Sequence, residues 1–331
     1  MFRRFIAVML IISLCIAAAA CGSDHSAADI SEDSAPLDPT EDSAFSPAGK
    51  KAPKLEAEVS SNGTVTLTWE GEPELYYELS RTDDFTGTST VLSFCEPGAP
   101  CEYTDTDAEA DFSRTYTVIP YESPEAKEAE TSAAPAGTVS VCNGFVLSGG
   151  YLYYYENGSA VKNTDIGSLH FDRSGIYTCG DKELDELIRQ DILEFTQPQM
   201  TPTEKLNALY VHLLDKAFYN YGAEPYVDKD EVGWETEYVK KFMDTGLGSC
   251  FSYAALTMFY ARALGMEAYT VIGECYTNID WVWHCWTEIN LDGEIYVCDA
   301  EMEGIYGKNH DVSWDLFMVT HEEAPLEYVP W

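Results

Sequence analysis

The sequence predicts a multidomain chain in which an all-β sandwich is followed by an α+β domain with an antiparallel sheet. Residues 51–138 alternate apolar and polar side chains in short runs between turn residues, a pattern typical of strands. From residue 181 onward, helical spacing of apolar residues comes first and two β-like runs follow. The 331 residues, 45% of them hydrophobic, suffice for these two domains and a connector over 139–180.

The N-terminus predicts export and lipid anchoring. Residues 1–20 begin with Arg3 and Arg4, continue with an apolar run and end in alanines before Cys21, as secretory signal peptides do. The small residues before Cys-Gly-Ser resemble a bacterial lipoprotein cleavage site. This implies that Cys21 becomes the lipidated first residue, at the outer face of the cytoplasmic membrane. An uncleaved anchor helix is disfavoured, because the apolar run is short for a membrane span.

Charge and composition describe the next segment and limit the partners. Residues 21–50 are rich in Ser, Ala, Asp, Glu and Pro, so we expect a disordered acidic tether. The whole chain has 57 Asp and Glu against 19 Lys and Arg, a formal net charge of −38. Such a surface repels nucleic acid and favours a cationic partner, such as a lysine amine or a basic peptide, although solubility alone would also explain it.

Three alternating runs define the predicted sandwich. They are Val65–Trp69, preceded by the hairpin turn Asn62-Gly63, then Tyr77–Arg81 and Tyr116–Tyr121. The tryptophan on an early strand and the aromatic late strand resemble a fibronectin type III domain. That resemblance implies a spacer or docking module.

The connector carries two aromatic runs around Asn-Gly and Ser-Gly turns, Tyr151–Gly158 and His170–Tyr177, which predict β-hairpins. The stretch is similar to one unit of the bacterial cell-wall-binding repeats, which implies contact with the cell envelope. Because those repeats bind ligands between stacked neighbours, a single unit favours structural packing on the α+β domain instead.

The domain at 181–331 opens with two predicted helices. Asp181 can cap the first, and residues 201–204 form a capping box for the second, with Pro202 at its first helical position. The predicted apolar faces are Leu184, Leu187, Ile188, Ile192 and Phe195 in the first helix and Leu206, Leu209, Tyr210 and Leu213 in the second.

A third helix is predicted from Cys250 to Leu264, where apolar residues recur at helical spacing and Gly265 follows as a terminator. Cys250 then lies in the first turn. There the backbone N–H groups and the helix dipole favour a thiolate, and the same N–H groups can hold an oxyanion.

His284 and Asp299 fall in two β-like runs joined by the turn residues 290–293. If Asn290 pairs with Gly293, the numbers of paired residues sum to 583, and His284 faces Asp299 across the hairpin. The carboxylate can then orient the imidazole, whereas a slip of one residue would separate the two side chains.

The cysteines leave alternatives open. The same register pairs Cys285 with Cys298 on the opposite face, as a cross-strand disulfide or as packed core thiols, of which we favour the thiols. Cys95 and Cys101 flank a short loop that a local disulfide can close, which export permits without requiring it.

These residues resemble the transglutaminase-like superfamily over the segment from residue 181 onward. The matching motifs are Gly248-Ser249-Cys250-Phe251-Ser252-Tyr253-Ala254, His284-Cys285-Trp286, Leu291-Asp292-Gly293 and Val297-Cys298-Asp299. The resemblance implies a papain-like core that transfers an acyl group from an amide through a thioester. It implies Cys250 as nucleophile, His284 as general base and then acid, and Asp299 as the orienting carboxylate. Cys285 and Ala300 depart from the family pattern, where Ala and Pro are usual, without touching this triad.

Four aromatic residues are candidates for further roles. Related enzymes add an aromatic donor to the oxyanion hole, and Tyr221 is the positional candidate here, although core packing or loop exposure is the simpler interpretation. Trp281, Trp283 and Trp286 are candidates for lining the substrate channel, where they would exclude water and favour an amine as acyl acceptor. Packing of the sheet explains them equally well.

The sequence therefore predicts an extracellular, membrane-anchored thiol acyltransferase or hydrolase that acts on protein or peptide amides by transamidation or hydrolysis. Two alternatives stay open: a catalytically silent binding or scaffold protein of the cell surface, and a cysteine peptidase acting on cell-wall or host peptides. The α+β domain has no Cys-x-x-Cys pair, so we expect no metal and no cofactor, while calcium binding by the acidic surface stays open.

Overall fold

The computed structural model describes residues 51–331 except 108, 217, 220–226, 229–230 and 311–312. The predicted signal peptide, the acidic tether and Cys21 therefore lie outside the described residues. In the part of the chain that is described, no helix combines the length and the apolar character that a membrane span requires.

Two antiparallel sheets enclose the N-terminal core. Their elements in chain order are β1 (Leu55–Val59), β2 (Val65–Trp69), β3 (Tyr76–Asp83), β4 (Ser89–Cys95), β5 (Glu102–Asp105), β6 (Phe112–Tyr121), the short helix α1 (Pro124–Glu128) and β7 (Gly137–Ser148). One sheet has the order β1-β2-β5 and the other begins β4-β3-β6-β7. Inward side chains of both sheets, among them Leu67, Trp69, Leu79 and Tyr116, form one buried cluster. The three predicted strands are confirmed as β2 and as parts of β3 and β6.

Strand β7 runs from the sandwich into the connector. Its residues 137–143 pair with β6, and its residues 144–148 pair with β8 (Tyr151–Glu156). Gly144 stands at this junction with a φ of 65°, and a Cβ there would lie 1.9 Å from Oδ1 of Asp111, so only glycine fits. The boundary predicted between 138 and 139 falls inside β7, and the sandwich and the connector share a six-stranded sheet.

Short strands complete the connector: β9 (Ser159–Ala160), β10 (Thr164–Ile166) and β11 (Leu169–Phe171). Leu152, Leu169, Phe171 and Tyr177 are buried in the same apolar cluster as the helices of the α+β domain. This confirms the prediction that the hairpins pack against that domain.

The helical half of the α+β domain follows. Its elements are α2 (Lys182–Phe195), α3 (Pro202–Lys216), β12 (Phe218–Tyr219), α4 (Glu235–Thr245), β13 (Leu247–Gly248) and α5 (Cys250–Ala263). Both predicted caps are confirmed. Oδ1 of Asp181 accepts hydrogen bonds of 3.0 Å from the backbone N–H groups of Glu183 and Leu184. Thr201 and Glu204 bond each other's backbone N–H groups in a capping box.

The sheet half contains β14 (Glu267–Tyr276), β15 (Trp281–Leu291), β16 (Glu294–Cys298), a π-helical turn (Met302–Tyr306), α6 (Gly307–His310), β17 (Val319–Thr320) and β18 (Glu327–Pro330). The strands form an antiparallel sheet in the order β17-β16-β15-β14-β18. Helix α5 packs on β14 and β15, where the Thr287 hydroxyl donates to the carbonyl of Ala254 at 2.8 Å. The sheet therefore presents its residues to the helix that begins at Cys250.

Candidate active site

Cys250 is the first residue of α5, so the predicted start of this helix is confirmed. Ser249 precedes it with extended backbone, at φ −104° and ψ −178°. A Cβ on Gly248 would lie 2.6 Å from Cβ of Ser252 and 2.7 Å from the Phe242 ring, so glycine permits this close approach to α4. Cys250 is 6% exposed. Cys250 therefore lies in the first turn of the helix, where the backbone N–H groups have no acceptor within the helix.

The predicted register of the hairpin is wrong by two residues. Leu291 pairs with Glu294 and Thr287 with Cys298, so paired numbers sum to 585 rather than 583. The physical reason lies in the turn, whose two central residues are Asp292 and Gly293 with φ of 55° and 89°. A two-residue turn of this type requires positive φ at both positions, which Asp-Gly adopts readily and a turn centred on Leu291 and Asp292 would not. A shift of two keeps every side chain on its predicted face.

The structure brings His284 and Asp299 together in spite of that shift. Asp299 directly follows β16, and its Oδ2 lies 2.8 Å from Nε2 of His284. Both residues are 2% exposed. Because Nε2 is occupied by the carboxylate, Nδ1 is left for the thiol of Cys250, to which the ring is also hydrogen-bonded. The three predicted residues thus form one series from thiol to imidazole to carboxylate.

The electrostatics of His284 suit it to hold a proton. Burial by itself lowers its pKa, whereas the charge of Asp299 and the hydrogen bonds to Asp299 and Cys250 raise it, and the net result lies well above 6.5. An imidazole in this setting can take the proton of the thiol and keep it as an imidazolium.

Asp299 is held by two further donors. The Tyr328 hydroxyl on β18 donates to Oδ2 at 2.9 Å, and the backbone N–H of Met302 donates to Oδ1 at 3.1 Å. The carboxylate therefore orients the imidazole with one oxygen and caps the following helical turn with the other. Sequence reasoning missed Tyr328, because its partner is distant in the chain. The only local indication is its place in the short β-like run Glu327-Tyr328-Val329.

Glu301 is a second acidic residue beside the imidazole, also missed by sequence reasoning. It is 6% exposed, and its Oε2 lies 3.9 Å from Nδ1 of His284. Burial raises the pKa of this carboxyl to about 7, against the opposing effect of His284. The signal that could have found Glu301 is a helical turn after Asp299, because residues in such a turn fold back toward the preceding strand.

The three predicted channel residues take different positions. Trp283 packs on Phe251, the residue after Cys250, with ring centroids 5.0 Å apart. Trp281 is 43% exposed and contacts Tyr276 with centroids 5.3 Å apart. Trp286 is fully buried in an apolar cluster of the sheet, and its ring stacks on that of His284 with centroids 6.4 Å apart. Of the three, Trp283 therefore packs beside Cys250 and Trp286 beside His284.

The remaining predicted residues are quickly placed. Tyr221, like Cys21, lies outside the described residues. Every described cysteine is a free thiol, so neither of the two disulfides left open by the sequence is formed. Cys285 and Cys298 are buried as core thiols, and burial raises the pKa of Cys298 to about 12, which keeps it protonated. Within the described ranges, no group of three or more His, Cys, Asp and Glu residues is arranged to hold a metal ion.

Comparison with known families covers the region of the candidate site. Residues 191–300 match the model of the transglutaminase-like superfamily, and this range includes Cys250, His284 and Asp299. The chain contains a transglutaminase-like domain. A second, β-rich region precedes that domain. No curated protein sequence matches the chain significantly.

Solved structures show weaker likenesses. A TGase structure matches with 19% identity and a TM-score of 0.27, and the match covers 37% of this chain and 33% of the TGase chain. A protein from Cytophaga hutchinsonii, provisionally assigned as a cysteine protease, matches with 11% identity and a TM-score of 0.28, covering 85% of this chain and 82% of its own. Domains d3-d4 of the rat CD45 extracellular region match with 9% identity and a TM-score of 0.22, over 37% of this chain and 79% of theirs.

Proposed function

We propose that this protein is an extracellular, lipid-anchored thiol acyltransferase or hydrolase that acts on protein or peptide amides through a thioester at Cys250. The observation that carries the proposal is the buried, hydrogen-bonded series of Cys250, His284 and Asp299 at the start of α5. It supplies a nucleophile, a base within reach of the nucleophile, and a carboxylate that fixes the base.

In the first half of the proposed reaction, the thiol proton of Cys250 passes to Nδ1 of His284. The thiolate attacks the amide carbonyl carbon, and the negative oxygen that forms is stabilised by N–H groups at the start of α5. His284 then returns the proton to the leaving amine as the C–N bond breaks. Asp299 keeps its charge throughout and stabilises the imidazolium.

In the second half, water or an amine attacks the thioester. His284 takes a proton from this nucleophile, the C–S bond breaks, and the thiol of Cys250 is restored. Water gives a carboxylic acid and a primary amine gives a new amide. The aromatic contact between Trp283 and Phe251 supports a channel that limits access of water, and the excess of acidic residues favours cationic lysine-bearing peptides.

The N-terminal half would place this chemistry outside the membrane. The signal-like sequence before Cys21 supports lipidation, and the two-sheet arrangement of β1–β7 supports a fibronectin type III-like spacer. The aromatic hairpins of the connector suggest contact with the cell envelope through the surface that does not face the α+β domain.

The test is the alkylation rate of Cys250 by iodoacetamide against pH, followed by peptide mass spectrometry on the full chain. We expect rapid labelling well below the free-thiol pKa of about 8.5, and a loss of that reactivity in His284→Ala. The matched control is His321→Ala, because His321 is 38% exposed in its side chain and bonds Glu288 rather than a thiol. Slow labelling of Cys250 in the folded wild type would make a binding module the better interpretation.

The products separate transferase from hydrolase. A glutamine peptide incubated with a labelled primary amine should yield the labelled peptide if the protein transfers acyl groups to amines. Ammonia and the glutamate peptide alone would assign a hydrolase, and cleavage of the peptide backbone would assign a peptidase.

A further inference from the structure

Glu301 is a buried ionisable group that the steps described above do not use. It follows Asp299 by two residues, in helical backbone at φ −71° and ψ −52°. This turn brings its carboxyl back to the catalytic imidazole, with Oε2 at 3.9 Å from Nδ1 of His284. Nδ1 is the ring nitrogen left for the thiol, because Nε2 is bonded to Asp299. His284 therefore stands between two carboxyl groups, one toward each nitrogen.

The groups around Glu301 leave His284 as its cationic partner. From α5, Tyr253 is sensitive to the charge of Glu301, and its hydroxyl makes no hydrogen bond with any other described residue. From β14, the thiol of Cys275 is influenced by His284, Asp299 and Glu301, and burial holds its pKa at about 12. Tyr253 and Cys275 thus remain neutral near pH 7, and the imidazolium is the charge that an ionised Glu301 can stabilise.

We propose that Glu301 is a positioning residue for the second half of the reaction, in which its carboxylate stabilises the His284 imidazolium while the thioester is resolved. The inference rests on the proposed function of Cys250. It assigns Glu301 no proton transfer of its own, since the carboxylate acts on the reaction through His284.

The proton movements explain why Glu301 acts in the second half of the reaction. The incoming water or amine forms a bond to the thioester carbonyl carbon and gives one proton to Nδ1 of His284. The C–S bond then breaks, the sulfur leaves with the electron pair, and the proton on Nδ1 moves to it. Between these events the imidazolium has Asp299 at Nε2 and Glu301 on the Nδ1 side.

In the resting enzyme the effect of Glu301 is small. An ionised Glu301 attracts the imidazolium but repels the neighbouring thiolate, and these two effects offset each other in the ion pair. Once the sulfur is acylated it carries no charge, so only the attraction remains. A charge at 4–6 Å shifts a pKa by about 1–3 units, and each unit changes the protonated population about tenfold.

The test measures both halves in the full chain with para-nitrophenyl acetate as the acylating probe. The burst of nitrophenolate reports acylation of Cys250, and the steady state reports deacylation. In Glu301→Gln we expect a burst rate within threefold of wild type and a steady-state rate reduced about tenfold or more. Slower deacylation lowers kcat and KM together, leaves kcat/KM unchanged and accumulates acetyl-enzyme, which intact-mass spectrometry detects.

The matched control is Glu303→Gln. Glu303 lies in the same turn, but its Oε2 accepts hydrogen bonds from the Tyr210 hydroxyl at 3.0 Å and from the backbone N–H of Leu316 at 2.8 Å. Its substitution removes a partly buried carboxylate without removing the charge beside His284. We expect lower stability and a wild-type partition between burst and steady state.

The outcomes distinguish the proposed function from the role of Glu301. A wild-type protein that shows no burst and no acetylated Cys250 overturns the proposed function, whatever Glu301 does. A normal burst with a steady-state rate within threefold of wild type in Glu301→Gln overturns the role of Glu301 alone. If that variant does not fold, Glu301→Met repeats the measurement with an apolar side chain of similar length, and unchanged deacylation there overturns the inference equally.

Discussion

The substitution Asp299→Asn separates the two tasks of this carboxylate. Oδ1 accepts from the backbone N–H of Met302, while Oδ2 accepts from Tyr328 and lies 2.8 Å from Nε2 of His284. An amide has one oxygen, and that oxygen must face Met302, because two N–H groups cannot bond each other. The NH₂ group then meets His284, which must turn Nε2 into an acceptor and carry its proton on Nδ1.

The expected loss follows from this geometry. An imidazole with its proton on Nδ1 donates to the thiol of Cys250 and cannot accept the thiol proton. Losing the charge of Asp299 also lowers the pKa of His284, because that charge favours the imidazolium. We therefore expect alkylation of Cys250 at pH 6 to slow about 100-fold, since a neighbouring charge typically changes the population of a protonated group by about 10-fold to 1,000-fold.

The assay pairs this rate with stability. Alkylation of Cys250 by iodoacetamide is followed by peptide mass spectrometry, and Cys298, which is 1% exposed, reports any unfolding by becoming labelled. In urea titrations at pH 8, Asp299→Asn should be more stable than Asp299→Ala by about 1 kcal/mol, because only the amide retains the cap on Met302. Alkylation of Asp299→Asn within threefold of wild type would refute the orienting role of this carboxylate.

Three further predictions concern the residues around the triad. Tyr328→Phe removes the 2.9 Å hydrogen bond to Asp299. We expect urea titration to show a loss of about 1.5 kcal/mol in the free energy of unfolding, and we expect alkylation of Cys250 to slow. Unchanged alkylation would mean that Tyr328 only packs in the core. Gly273→Ala would put a Cβ 2.2 Å from the carbonyl oxygen of Val329 and so push β18 away; we expect a loss of about 1–3 kcal/mol in the same titration, and a value within about 0.5 kcal/mol of wild type would contradict it. Burial raises the pKa of Glu301 from 4.5 to about 7, so its contribution to stability is present at low pH and is lost as pH rises through about 7. The free energy of unfolding of Glu301→Gln should therefore rise relative to wild type by up to about 3 kcal/mol between pH 5 and pH 8. A difference between the two proteins that does not depend on pH would count against an ionising Glu301.

Local patterns in the sequence predicted the elements that carry the site. The caps at Asp181 and Thr201 depend on side chains bonding backbone within one turn, so they could be predicted without tertiary structure. The start of α5 at Cys250 and its end before Gly265, where φ is 88°, follow from the same local rules. Local chemistry was therefore sufficient to place Cys250 at the start of its helix.

The pairing of the hairpin shows where such rules stop. Asp299 was predicted to lie directly opposite His284, and in the structure it meets the imidazole on a diagonal, because the turn is centred on Asp292 and Gly293. The contact survived the error since residues two apart on a strand share a face. A side chain with the reach of histidine accepts either register.

Tyr328 and Glu301 could not be predicted from spacing. Tyr328 reaches Asp299 only because β18 pairs with β14 at the edge of the sheet, a contact that no local pattern encodes. Glu301 depends on the helical turn after β16, and within the charge-rich sequence it resembles many exposed glutamates. Long-range pairing and burial, rather than sequence spacing, complete this site.

Strand β7 has a thermodynamic consequence. Val141 in its first half is buried in the sandwich core, while Phe145 and Leu147 in its second half pack on the core of the transglutaminase-like domain. A strand common to two cores cannot be released by one of them while the other stays intact, so their melting is coupled. Calorimetry should then record a single cooperative transition for residues 51–331, and a mutation that loosens the sandwich would lower the melting temperature of the domain that holds Cys250.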